Sequence, residues 1–194
     1  MKVLIETLTP SDRLSIVTFN SSGRRICPLK AVTPENMVTL NNHVNELYSS
    51  GGTNIMSGMS LALKTLRDRK LVNTATSVFL LSDGQDKGAE NQLKQALATE
   101  ENKDVGVFSI HSFGFGNDHD EDLMNKICLL KDGSFYFIKE LSTLDEAFCN
   151  ALGGIISMVA NEVIINVRCI ASGIVEGIKI SKVFGKKWEK INDN

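Results

Sequence analysis

The chain has 194 residues, a formal net charge of −2, 42% hydrophobic residues and 23% charged residues. These are the proportions of a folded, soluble protein, and they exclude a disordered chain or a fibrous repeat. The near-neutral balance leaves no electrostatic footprint for nucleic acid or an anionic membrane, apart from a modest cluster at Lys182, Lys186, Lys187 and Lys190.

Strand and helix patterns alternate along the chain. Residues 14–20 (LSIVTFN) form a β-branched, aromatic run between the turn Pro10-Ser11-Asp12 and Ser21-Ser22-Gly23. Residues 24–29 read as a short partner strand, placed at an edge by Pro28. Thr33-Pro34-Glu35 reads as an N-cap, a first-position proline and a first-turn acid. Met37, Leu40, Val44 and Leu47 then make one helical stripe. The loop Ser49-Ser50-Gly51-Gly52-Thr53-Asn54 leads to a second stripe of Ile55, Met59, Ala62, Leu63 and Leu66.

Residues 76–82 (TSVFLLS) are apolar through their middle, as in a strand covered on both faces, and run into Asp83-Gly84. A third helix carries Ala89, Leu93, Ala96 and Leu97. Residues 105–113 read as a strand, followed by Gly114-Phe115-Gly116-Asn117 and a short helix with Leu123, Met124 and Ile127. Phe135-Tyr136-Phe137-Ile138 is a further strand. Ser142 caps a long helix whose stripe is Leu144, Phe148, Leu152, Ile155 and Val159. The rhythm then changes to period 2 at Val163, Ile165, Val167 and Cys169.

Residues 1–160 therefore read as an α/β domain, a doubly wound and mostly parallel sheet with helices on both faces. Residues 161–194 read as a β segment, either the start of a following β unit or an appended hairpin. The longest uncharged stretches, residues 47–63 and 147–161, are too polar or too short for the about 20 apolar residues of a membrane span. Val3-Leu4-Ile5 is cut off by Glu6, so no signal peptide is expected. The four scattered cysteines (Cys27, Cys128, Cys149 and Cys169) read as reduced thiols, and the expected location is cytoplasmic.

In such sheets, ligands bind beyond the carboxyl ends of the strands. That rim collects Ser21-Ser22-Gly23, the loop 49–54, Asp83 to Asp86 and residues 114–118. Thr53 and Asp83 together offer an oxygen-only donor set of the kind that suits Mg²⁺. Taken singly, Thr53-Asn54 reads better as a helix cap and Asp83-Gly84 as a plain turn. Ser21, Ser22, Gly51, Gly52, Asn54, Gly84 and Asp86 form the expected partner-binding rim.

His43 reads as a surface residue, His111 as a structural histidine within a strand, and the acids around His119 as a helix start. Gly51-Gly52-Thr53 lacks the Gly-Lys-Ser/Thr of a phosphate-binding loop. No nucleophile–base pair is evident, so no catalytic residue is expected.

The run Ser11-Asp12-Arg13-Leu14-Ser15-Ile16-Val17-Thr18-Phe19-Asn20, then Gly51-Gly52-Thr53-Asn54-Ile55, then Val78-Phe79-Leu80-Leu81-Ser82-Asp83-Gly84 resembles the von Willebrand factor type A domain, of the intracellular eukaryotic kind. SIHSFGFG (residues 109–116) and the strand after Gly133 continue the match in order. The resemblance implies a protein-interaction module with a metal-ion-dependent adhesion site, in which Thr53 and Asp83 are the second- and third-loop ligands of Mg²⁺ and a partner's acidic side chain completes the shell. It also implies an Asp-x-Ser-x-Ser motif after a central strand. This chain has none, since Asp132-Gly133-Ser134-Phe135-Tyr136 precedes a strand and lacks the last serine.

The expectation is thus a domain without the family's first, central strand, in which residues 2–8 are the tail of the helix that follows it. About thirty residues of strand and crossover helix are wanting by that pattern. The metal site is incomplete and any Mg²⁺ binding weak. The strands from Leu14 and Thr76 flank an empty slot, with two alternatives open: the strands close on each other, or another chain fills it. The alternatives are a hydrolase on a doubly wound fold using Asp83, or a partial gene product without independent function.

Overall fold

The computed structural model describes residues 1–83, 85–103, 105–116, 119–160, 163–168 and 180–184. The chain divides into two compact units, Met1–Asn161 and Glu162–Asn194. In the second unit, residues 163–168 and 180–184 join no strand ladder, and the rest of the expected hairpin lies outside the described residues.

The first unit opens with α1 (Lys2–Thr7), β1 (Arg13–Phe19), β2 (Gly23–Ala31), α2 (Pro34–Asn45) and α3 (Ile55–Arg67). It continues with β3 (Ser77–Ser82), α4 (Ala89–Leu97), α5 (Glu100–Lys103), β4 (Ser109–Phe115), α6 (Glu121–Leu129), β5 (Phe135–Ile138) and α7 (Leu144–Ile156). β1 and β2 pair antiparallel, with Phe19 opposite Gly23. β3, β4 and β5 form a parallel sheet in that order. Thus there are two sheets, and β1 and β3, expected on either side of an empty slot, do not pair.

Helices cover both faces. On one face Val78, Leu80 and Ile110 pack against α3, α4 and α6 through Met59, Leu93 and Met124. On the other, Phe79, Phe113 and Tyr136 meet Phe148 of α7 and Leu4 of α1. A third cluster joins Ile5, Ile16, Cys27 and Leu40 under α1 and α2. This is the doubly wound α/β class. Among the described residues no helix is long and apolar enough to cross a membrane.

Local signals explain the helix starts. Thr33 accepts from the Asn36 amide ahead of Pro34. Asp120 accepts from the Leu123 amide at 2.9 Å, so the acids beside His119 serve the start of α6. Three expectations shift. α7 begins at Leu144 behind a 3-10 turn, and Ser142 is not its cap. α7 stops at Ile156, leaving Val159 99% exposed, because the helical stripe runs on past Gly153-Gly154 without a surface to cover. β4 begins at Ser109, four residues late, because Gly106 takes φ +80° in the turn before it. Val105 and Phe108 are buried all the same.

His111 is a buried, satisfied residue of β4. The Ser134 amide donates to its Nδ1 at 3.3 Å, and its Nε2 lies 3.2 Å from Ser109 Oγ. With Nδ1 accepting, Nε2 carries the proton and the ring is neutral. Burial holds its pKa below the usual 6.5. The unfolded chain therefore takes up a proton on acidification that the folded chain refuses. Stability is expected to be full above about pH 6.5 and to fall as pH drops below it. A His111→Gln variant should show a flatter dependence in urea melts; an unchanged slope would exclude His111 as its source.

Candidate functional site

The rim is built where β1 and β3 end. β1 runs into Asn20, which organises the turn that follows. Its side-chain carbonyl accepts from the Ser22 amide at 3.0 Å, and its own amide donates to the Ser22 carbonyl at 3.1 Å. Its main-chain carbonyl accepts from the Asn54 amide at 2.7 Å, tying this turn to the next loop. Gly51, at φ +79°, lies against the Asn20 side chain, where a Cβ would come within 3.3 Å. Asn20 was not among the expected site residues. Its signal was there, since an asparagine between a strand and Ser-Ser-Gly is an Asx-turn pattern.

Asn54 caps α3, its Oδ1 accepting from the Ser57 amide at 2.9 Å. Asp86, from the loop after β3, reaches the same helix start and accepts from the Ile55 amide at 2.7 Å. Its charge lies at the positive end of α3, where a carboxylate is favoured. Asp86 thus acts as a brace between two loops. Asp86→Ala should cost about 1–2 kcal/mol, read from chemical denaturation, and should speed amide exchange over residues 53–57. Exchange unchanged there would show that the brace holds nothing.

Thr53 and Asp83 are among the many residues that line one open cavity of about 1310 Å³, as are Asn20, Ser22, Gly51 and Gly52. Thr53 is half-buried and Asp83 exposed. Ser21, Asn54 and Asp86 lie beside this cavity's lining and not in it. Gly84 lies outside the described residues, as do Asn117 and Asp118 of the 114–118 segment. Among the described residues, no group of three or more His, Cys, Asp or Glu side chains gathers for a metal. His119 is buried against Gly114 and the rings of Phe135 and Phe137, its Nδ1 2.7 Å from the Gly116 carbonyl.

A doubly wound sheet with its loop rim at the strands' carboxyl ends defines a class of α/β domains that bind ligands at that rim. The sequence model of the von Willebrand factor type A domain matches residues 1–149, and the chain belongs to that family. It is similar to WAVH2, a probable E3 ubiquitin-protein ligase of Arabidopsis thaliana, at 35% identity over 92 residues. That match takes in 45% of this chain and 13% of the ligase, so the chain spans a small part of its relative.

Among solved structures it is similar to a von Willebrand factor type A protein from Catenulispora acidiphila. The TM-score there is 0.66 at 21% identity, over 77% of this chain and 35% of that one. It is also similar to proximal thread matrix protein 1 of the mussel byssus, with a TM-score of 0.54 at 20% identity, over 76% of this chain and 37% of that one. That mussel structure has zinc in its metal-ion-dependent adhesion site. At such identities the structural likeness establishes the fold. Domains of this family are mostly protein-interaction modules.

Proposed function

We propose that the chain is a non-catalytic protein-recognition domain whose contact surface is the rim at the ends of β1 and β3. One observation carries the reading: hydrogen bonds from Asn54 to Asn20 and from Ile55 to Asp86 join three separate loops into one surface. A surface held in place this way loses little conformational freedom when a partner lands on it. Gly51 and Gly52 keep it low, and Thr53, Asp83 and Ser22 stud it with oxygen.

The metal site on this rim is incomplete in our reading. Mg²⁺ asks for near-octahedral oxygen ligation and gives up water reluctantly. Thr53 and Asp83 supply one hydroxyl and one carboxylate, and the Asp86 carboxylate is already engaged with α3. Two such donors do not fit an ion held by this chain alone; a partner's acidic side chain would add the further oxygen. The kinship to ubiquitin ligases supports a role in recognising a protein for an assembly of that kind. The same reading keeps the chain in the cytoplasm, where free Cys27, Cys128 and Cys149 stay reduced.

Calorimetric titration with MgCl₂ should show no saturable heat at micromolar concentrations, and a micromolar site would overturn the incomplete-site reading. Peptides carrying a central Asp or Glu, selected on the wild-type chain in Mg²⁺, should lose about tenfold or more in affinity on Asp83→Ala, which is about 1.4 kcal/mol. They should keep their affinity on Leu129→Ala, an exposed position on α6. Equal loss on both variants would place the contact elsewhere.

A further inference from the structure

A separate recess lies where β1 and β3 begin, away from the rim where they end. Its volume is about 330 Å³, at the small end of the about 300–1,000 Å³ of ligand pockets. The β1–β2 hairpin gives it Arg13 and Arg25, and the turn after α3 gives it Arg69, Lys70 and Leu71. Neither Thr53 nor Asp83 lines it.

Four cations thus line the recess, and the carboxylate beside them is already shared. Asp68 meets Lys64 at 3.2 Å through one oxygen and Arg67 at 3.8 Å through the other. Among the described residues, Arg13, Arg25, Arg69 and Lys70 make no ion pair. Arg13 and Arg69 are half-buried, and their hydrogen-bond partners are neutral. Arg13 Nη2 donates to the Leu71 carbonyl and to Asn73 Oδ1, both at 2.7 Å. Arg69 Nη1 donates to Thr76 Oγ1 at 3.0 Å, and its Nη2 to the Val105 carbonyl at 2.8 Å. The Arg69 Nε is buried with no acceptor among the described residues.

These bonds fix two guanidinium planes without neutralising them. Burial, and then the Arg13 charge, lower the Arg69 pKa, so like charges are held together where water is scarce. A charge in such a place is costly until a counter-ion meets it. Cations are favoured at a helix C-terminus, which accounts for Lys64 and Arg67 in the last turn of α3. It does not account for Arg13 and Arg25, which come from the hairpin.

We propose that this recess binds a phosphate monoester, its head taken by Arg13 and Arg69 with Arg25 and Lys70 at the mouth. A phosphate monoester carries about −1.5 to −2 charge at pH 7, which suits an unpaired cation cluster better than a single carboxylate does. The guanidinium fork matches phosphate oxygens two at a time, and Arg13 keeps its Nε and Nη1 for that contact. The volume exceeds a bare phosphate, and Pro28, Leu29 and Leu71 give the remainder an apolar wall, so the group that carries the phosphate is compact and apolar. A recess with its arginines half-buried favours a projecting ester over a flat lipid surface, which the chain's net charge of −2 also opposes.

The test is calorimetric titration of the full chain with phenyl phosphate. Saturable binding is expected with a Kd below about 1 mM. Benzoate, with one charge, should bind about tenfold more weakly or worse. Arg25→Gln and Lys70→Gln are exposed positions and should each weaken phenyl phosphate about threefold or more, with urea midpoints unchanged. Arg69→Lys keeps the charge, loses the fork and should cost about tenfold. Asp83→Ala, at the rim, should leave the affinity as it is. An Ala-flanked phosphotyrosine peptide identifies the source: tighter binding than phenyl phosphate assigns the ester to a partner protein, and weaker binding assigns it to a free small molecule. The proposal is overturned if phenyl phosphate shows no saturable heat at about 1 mM, or if benzoate binds equally well. It is also overturned if Arg25→Gln and Lys70→Gln change nothing, if Asp83→Ala weakens binding as much as they do, or if only anionic vesicles bind.

Discussion

Phe113→Ala is expected to lower the stability of the first unit by about 3–5 kcal/mol. Phe113 is fully buried in the middle of the parallel sheet. Its ring stacks on Tyr136 at 5.0 Å and 12° and meets Phe148 edge-on at 4.9 Å, with Phe79 at 5.1 Å. Alanine removes the ring and leaves three aromatic neighbours lining a void, each deprived of contacts worth about 0.5–1.5 kcal/mol beyond burial. Those neighbours come from β3, β5 and α7, so the loss falls on the layer that joins the sheet to its helix. Urea melts check it, with a lower midpoint at constant slope. The exposed Leu71→Ala serves as control and should stay within about 0.5 kcal/mol. A Phe113 loss below about 2 kcal/mol would show that the aromatic cluster is not packed as described.

Gly23→Ala should cost about 2–3 kcal/mol and loosen the rim together with the fold. Gly23 is paired with Phe19 where the β1–β2 hairpin closes. A Cβ there would land on the Ser57 carbonyl and come within 3.1 Å of Leu61 Cδ1. The carbonyl belongs to the first turn of α3, which Asn54 and Asp86 already hold, so it cannot easily retreat. The hairpin must lift instead, carrying Asn20 and Ser22 with it. Space alone forbids the methyl here. In contrast, Gly153 and Gly154 lie within α7 with open space where a methyl would stand, and alanine at either should stabilise the helix by about 0.5–1 kcal/mol. Denaturation midpoints compare the three; a tolerated Gly23→Ala would mean that the hairpin does not rest on α3.

Much of this fold was legible where residue type and local geometry coincide. FYFI is β5 residue for residue, and LSIVTFN and TSVFLLS differ from β1 and β3 only at their ends. Of the stripe Ile55, Met59, Ala62, Leu63 and Leu66, all but the half-buried Ala62 lie on the buried face of α3. These patterns report backbone period and burial, which neighbouring residues decide. The boundaries at Ser109 and Leu144 were not legible, because β4 is delayed by a glycine turn and α7 by a 3-10 turn that no residue pattern demands.

The site divides in the same way. Strand order put Thr53 and Asp83 on one rim as an expectation, and both are among the residues lining one large cavity. That Asp86 braces α3 did not follow, because it depends on an amide 31 residues earlier; Asn20 carried a local turn signal, but its tie to the Asn54 amide did not show. The sequence by itself determined the α/β class, the family and the residues available to the rim. Only the tertiary structure decided between the open alternatives: β1 and β3 do not close on each other, although Asn20 and Asp86 tie the loops at their ends to the start of α3. Hydrogen-bonding capacity is identical in every strand, and whether an edge is met or left open depends on what the rest of the chain brings beside it.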